Sequence, residues 1–167
     1  MTASDTIYSD RKFRLWPFLV SLVITLAIGV VASLFTRPEI PGWYRFLHKP
    51  SFNPPDWLFP LVWTILYVLI AIAAYRVWVR RNKPGGFGTT CGIYFIQLAL
   101  NFSWSIVFFG MHLIATALVV IMLLWISIIF NIIRFAQYDS LAAWLLVPYL
   151  LWVSFATVLN YAIYRLN

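Results

Sequence analysis

Between Pro84 and Ile133 the chain contains no aspartate, glutamate, lysine or arginine. A hydrocarbon core roughly 30 Å thick is crossed by about 20 apolar residues in a helix rising about 1.5 Å per residue. This stretch is long enough to cross twice, and Gly110-Met111-His112 is the natural place for the turn. The rest of the chain is built alike, 63% hydrophobic and only 10% charged. A small water-soluble globule leaves too much of itself exposed to hide that apolar surface. The chain therefore reads as a single integral membrane domain in an all-α class.

Five spans follow from the uncharged runs, at about 15–36, 54–79, 89–109, 113–133 and 141–164. Leu15–Thr36 is preceded by Arg11, Lys12 and Arg14, as a signal peptide would be. Its apolar stretch exceeds the usual secretory length, so a retained span is expected. For the second span, Asn53 is the expected N-cap, Pro54 suits the first helical position and Asp56 favours the positive helix end. Bends are expected near Pro17, Pro60 and Pro148.

The net charge of +7 would suggest nucleic acid in a soluble protein. Here the cations flank apolar runs, so they orient helices against lipid and no nucleic acid is expected. Arg11, Lys12, Arg14, Arg76, Arg80, Arg81, Lys83 and Arg134 fall on one side, and Arg37, Arg45, Lys49 and Arg165 on the other. The positive-inside rule then puts the N-terminus in the cytoplasm, fitting a bacterial plasma membrane.

The connection at about 37–53 carries Trp43-Tyr44 and Lys49-Pro50, then leads through Asn53-Pro54-Pro55-Asp56-Trp57 into the second span. Loops of this length are usually functional or disordered. Its aromatic and proline residues argue for order, and so for a lid over a cavity inside the bundle. Polar side chains within spans must find partners, because lipid offers none. Gln97, Asn101, Trp104, Ser105 and Phe108 share one face of the third span. Pro60, Trp63, Tyr67 and Ala71 share a face of the second, and Tyr149, Trp152, Ala156 and Asn160 a face of the last. These stripes describe either a pocket for a flat, mostly apolar ligand or interhelical packing with interfacial aromatic belts.

Ser21, Thr25, Gly29 and Ser33 recur every four residues along the first span and let another helix approach closely, within the bundle or between subunits. His48 and His112 lack a second histidine at ligand spacing, so no metal is expected and both read as surface groups. Cys91, alone, excludes an intrachain disulfide and reads as a small apolar residue. Apart from Cys91, no ionisable side chain is buried mid-span, which disfavours proton relays and acid–base catalysis. Val158, Tyr161 and Arg165 satisfy the loose cholesterol-contact pattern, and the last two would serve equally as interfacial anchors.

Taken together, Trp43-Tyr44, Lys49-Pro50-Ser51, Pro54-Pro55-x-Trp57, Trp63-x-x-Leu66-Tyr67 and Gln97-Leu98-Ala99-Leu100-Asn101 resemble the TspO/translocator protein family, the tryptophan-rich sensory proteins or peripheral-type benzodiazepine receptors. Trp104, Phe108-Phe109-Gly110, Pro148-Tyr149-Leu150-x-Trp152 and Phe155-Ala156-Thr157-x-Leu159-Asn160-Tyr161 extend the likeness, which runs from about Trp43 to Arg165. Phe102 and Ser105-Ile106 depart from the animal pattern and make the bacterial type the closer match.

The resemblance implies a homodimeric five-helix bundle with a lid after the first helix. It implies binding of porphyrins such as protoporphyrin IX or haem, of cholesterol-like sterols, and of isoquinoline or benzodiazepine-type drugs, with no obligatory cofactor. Carried onto matching positions, the pocket comprises Tyr44, Pro54, Trp63, Tyr67, Asn101, Trp104, Trp152 and Ala156. The expected function is sensory or translocator-like ligand binding. The alternatives are light- and oxygen-dependent porphyrin degradation at Trp63 and Trp152, or a structural or regulatory partner acting through the small-residue stripe.

Overall fold

The structure is a computed structural model that describes residues 13–167. The charges at Arg11 and Lys12 lie outside the described residues. Seven α-helices follow in order: α1 (Leu15–Glu39), α2 (Trp43–Phe46), α3 (Leu58–Val79), α4 (Phe87–Ser105), α5 (Ile114–Tyr138), α6 (Ser140–Leu145) and α7 (Val147–Leu166), and there is no strand among the described residues. A π turn, Ile106–Gly110, extends α4. Five of these units are long and apolar enough to cross a membrane: α1, α3, α4 with its π turn, α5, and α6 with α7. The five-helix membrane bundle is therefore present.

The spans differ from expectation chiefly at their ends. The second begins at Leu58 and not at Pro54, because the Asn53 side chain is used elsewhere. Its carboxamide accepts from the Tyr44 hydroxyl at 2.8 Å and donates to the Pro54 carbonyl at 3.0 Å, so it caps nothing. Trp57 takes the N-cap position without a side-chain cap. The first span continues through Pro38 to Glu39, and the fourth reaches Tyr138. The last span is interrupted at Leu146, and Pro148 then opens α7 in its first turn, where a missing N–H costs nothing.

Around the bundle the helices pack in the order α1, α3, α6–α7, α5, α4 and back to α1. Helix α1 has most of its surface towards lipid, while Leu98, Ile121, Leu124, Ile128, Tyr149 and Val153 fill the centre. The small-residue stripe of α1 makes contacts within the chain. The Ser21 hydroxyl donates to the Ala71 carbonyl, Thr25 pairs with the Tyr94 hydroxyl, and Gly29 lies under the Tyr67 ring. A Cβ at Gly29 would stand 2.4 Å from Tyr67 Cε2, so only glycine lets α1 and α3 meet there.

At the end near the first residues of α1, Asp139 accepts ion pairs from Arg76 and Arg80, both at 2.6 Å, and also accepts the Leu141 N–H as the α6 cap. One buried carboxylate thus fixes the end of α3 against the α5–α6 corner. Pairing of this kind is what makes a charge tolerable near lipid.

Candidate functional site: an aromatic cavity beneath a clasped lid

At the opposite end, α1, α3, the C-terminal part of α4 and the lid enclose a cavity of about 430 Å³. That volume lies within the range of about 300–1,000 Å³ common for small-molecule sites. Helix α3 contributes Phe59, Trp63 and Tyr67; α4 and its π turn contribute Trp104 and Phe109; α2 contributes Tyr44. Helix α1 closes the remaining side with Gly29, Ser33, Thr36 and Arg37, and Asp56 stands at the lid end.

The rings form a continuous surface. Trp63 sits 5.7 Å from Tyr67 and 6.4 Å from Trp104, centroid to centroid, and Tyr44 sits 5.7 Å from Phe109. Consecutive Phe108 and Phe109 in the π turn are both buried. Three of these rings turn their polar tips into the protein. The Tyr67 hydroxyl donates to Asn101 Oδ1 at 2.6 Å, the Trp104 indole N–H donates to Asn160 Oδ1 at 3.1 Å, and Tyr44 donates to Asn53. The cavity therefore offers flat apolar faces, with the polar side chains of Ser33, Thr36, Arg37, Thr64, Asp56 and Ser105 set among them.

The lid is braced internally at one point and tied to the rest of the bundle at two. Lys49 Nζ donates to the Tyr44 carbonyl at 2.9 Å and lies 4.3 Å from the centre of its ring. Trp43 stacks on His112 at 4.2 Å, and His112 Nε2 meets Glu39 Oε2 at 3.0 Å, joining lid, α1 and the α4–α5 turn. His112 holds a φ of 60°, in the left-handed region, to close that turn. The Asn167 carboxamide exchanges two hydrogen bonds with the His48 backbone, both at 3.0 Å. Burial, with the Asp56 charge adding to it, pushes the Tyr44 hydroxyl up to about 12, so it stays a donor at neutral pH.

Of the residues expected at a pocket, Tyr44, Trp63, Tyr67 and Trp104 line this cavity together. Asn101 lies one layer below them, bonded to Tyr67 and to the Tyr149 hydroxyl. Pro54 is half-buried in the lid, outside the lining. Ala156 is buried in α7, and Trp152 packs edge-on against Phe59 at 6.0 Å; neither reaches the cavity wall. Val158 and Tyr161 are exposed on the outer face of α7, where Arg165 donates to the Tyr161 hydroxyl.

Sequence reasoning missed Arg37, Asp56, Phe59 and Phe109, and it read Gly29 and Ser33 only as helix-packing residues. The signal for α1 was present: small residues that admit a neighbouring helix also leave room beside it.

Below the cavity, a chain of polar groups runs through the bundle. Asn101 and Gln97 both donate to the Tyr149 hydroxyl, at 2.9 and 3.2 Å, and Asn131 donates to Gln97 Oε1 at 3.1 Å. Through Tyr67, which donates to Asn101, it joins α3, α4, α5 and α7.

The comparisons with known proteins agree with one another. Residues 21–165 match the model of the TspO/MBR family. A tryptophan-rich protein TspO of Chlorobaculum tepidum is 45% identical over 86% of this chain and 91% of its own length. The tryptophan-rich sensory protein of Cereibacter sphaeroides is 40% identical over 91% and 92%, and the human translocator protein 37% identical over 90% and 92%. On the extent of these matches, and with the five-helix bundle in place, the chain is a multi-pass membrane protein of the TspO/MBR family.

Proposed function

We propose that the cavity beneath the lid binds porphyrins, protoporphyrin IX or haem, with a sensory or regulatory role, and also admits sterols. The observation that supports this most is the aromatic wall formed by Tyr44, Trp63, Tyr67 and Trp104. The polar tips of Tyr44, Tyr67 and Trp104 are already bonded inward, so a flat conjugated ligand meets the faces of these rings. Arg37, at the cavity's edge, supplies a guanidinium for the carboxylates a porphyrin carries. Isoquinoline and benzodiazepine drugs, flat and aromatic, fit the same description.

Titrating protoporphyrin IX into the detergent-solubilised protein tests this reading. Saturable quenching of tryptophan fluorescence at one ligand per chain is expected; a linear, non-saturating response would reject the site. Mass spectrometry of whatever copurifies would name the physiological ligand. Sterol contact at Val158, Tyr161 and Arg165, a homodimer, and a cytoplasmic N-terminus in a bacterial plasma membrane belong to the same proposal.

A second reading is light- and oxygen-dependent porphyrin breakdown, favoured by Trp63, an oxidisable indole on the cavity wall. It predicts that illuminated porphyrin bleaches faster with wild type than with Trp63→Phe. Equal rates would mean that the protein does not direct the chemistry.

A further inference from the structure

A second concavity, of about 310 Å³, lies between α1, α3 and α4 at the end away from the lid. It shares no lining residue with the aromatic cavity. Trp16, Val20 and Phe95 form an exposed rim, whereas Tyr75, Thr90, Tyr94 and Phe135 form a buried floor. Along α1 it extends from Trp16 to Ile24, about 12 Å at about 1.5 Å per residue. That is most of one leaflet, about half of a hydrocarbon core roughly 30 Å thick. An apolar slot of this length, open towards lipid, has the shape of an acyl chain.

The mouth of the slot is cationic. The Arg81 guanidinium lies 4.0 Å over the ring of Trp78, a wall residue. Arg14 opens α1 beside it, its backbone N–H donating to the hydroxyl of Tyr75 on the floor at 2.8 Å. The nearby acid, Asp139, is taken by Arg76 and Arg80. Among the described residues neither Arg14 nor Arg81 has an ion-pair partner. Two arginines flanking one end of an apolar slot, without an ion-pair partner among the described residues, match an anion joined to a hydrocarbon chain.

We propose that this groove is a binding site for one anionic phospholipid, with an acyl chain between α1, α3 and α4 and the headgroup phosphate on Arg14 and Arg81. Guanidinium recognises phosphate through paired N–H donors, and the net negative charge separates this lipid from a zwitterionic one. The site would secure α1, the helix with the least burial in its membrane-spanning stretch, against α3 and α4. Its occupancy is independent of any ligand under the lid.

Native mass spectrometry of the full chain, equilibrated with equal amounts of dioleoyl phosphatidylglycerol and dioleoyl phosphatidylcholine, tests it. Wild type should retain one phosphatidylglycerol in preference to phosphatidylcholine. Each cation near a membrane surface is worth about fivefold in affinity, so Arg14→Gln/Arg81→Gln should lose most of that preference. Arg45→Gln, an exposed cation on the lid side, should keep it. Val20→Trp, which fills the slot from its exposed wall with both cations intact, should also reduce retention. Equal retention of the two lipids by wild type would overturn the proposal. So would a preference unchanged in the double variant or in Val20→Trp, or an equal loss in Arg45→Gln.

Discussion

The two ends of the polar and aromatic core use the same residue types to opposite effect. Around Tyr149 an aromatic hydroxyl is completely buried, and Asn101, Gln97 and Asn131 bind it into a chain crossing four helices. Towards the lid, Tyr67, Trp63 and Trp104 leave a void of about 430 Å³ between themselves and α1. The contrast lies in what each side chain does with its two ends. Tyr67 gives its hydroxyl to the network and its ring to the cavity; Trp104 gives its indole N–H to Asn160 and likewise keeps its face free. In lipid the network is a fixed requirement, because an unpaired polar group has no solvent to turn to. With the Tyr67 hydroxyl and the Trp104 indole N–H paired, these two rings are held in place and the space beside them can stay empty for a ligand.

The largest effect is expected where the network is cut. Asn101→Leu would leave the Tyr67 hydroxyl without its acceptor and the Tyr149 hydroxyl without one of its two donors. Stranded polar groups cost about 1–3 kcal/mol each, so the unfolding free energy in detergent should fall by about 2 kcal/mol or more. A loss below about 0.5 kcal/mol would mean that the chain of amides does not hold the helices.

Gly29→Ala strikes the boundary between the two regions. The new methyl meets the Tyr67 ring, and such overpacking typically costs about 1–3 kcal/mol. Stability and protoporphyrin affinity should fall together, read by thermal unfolding and by titration. A variant with both properties intact would show that α1 does not rest on Tyr67.

A smaller effect is expected at the lid. Tyr44→Phe removes the bond to Asn53, worth about 0.5–1.5 kcal/mol, and should loosen the lid as judged by faster hydrogen exchange over residues 43–57. Because burial raises the folded-state pKa of this hydroxyl above its ordinary value, its contribution is complete below about pH 10. It is lost as pH rises through about 12. Lid protection should therefore be insensitive to Tyr44 titration from pH 6 to 9; a loss in that window that Tyr44→Phe abolishes would contradict the assignment.

The smallest effect is expected at Trp152. Its indole N–H is buried without a partner and its ring stands behind Phe59, so Trp152→Phe should change porphyrin affinity by less than about twofold. A tenfold loss would move the site towards α7.

Much of this plan was legible in the residues. Uncharged run lengths located five spans, because a bilayer imposes its thickness on any helix that crosses it. Helical spacing identified the buried faces holding Gln97, Asn101, Trp104, Tyr149 and Asn160. Periodicity does not say which neighbour an inward face meets. That depends on the order of helices around the bundle, and it is why Trp152 and Ala156 look equivalent to Trp63 in sequence but stand outside the cavity. The start of α3 was misread for a different reason: Asn53 has the chemistry of a cap, but its carboxamide bonds to Tyr44 nine residues earlier. Gly29 carried two meanings at once, close approach and adjoining space, and only the first is visible without a partner helix.

Trp63, on the cavity wall, offers the most direct test of a site beneath the lid. Protoporphyrin IX should be titrated against wild type and Trp63→Ala, with the unfolding midpoint recorded on the same samples. An aromatic face against a flat ligand contributes about 0.5–1.5 kcal/mol, so affinity should fall up to about tenfold while the bundle remains folded. Affinity unchanged in a folded Trp63→Ala would contradict the placement of the site beneath the lid.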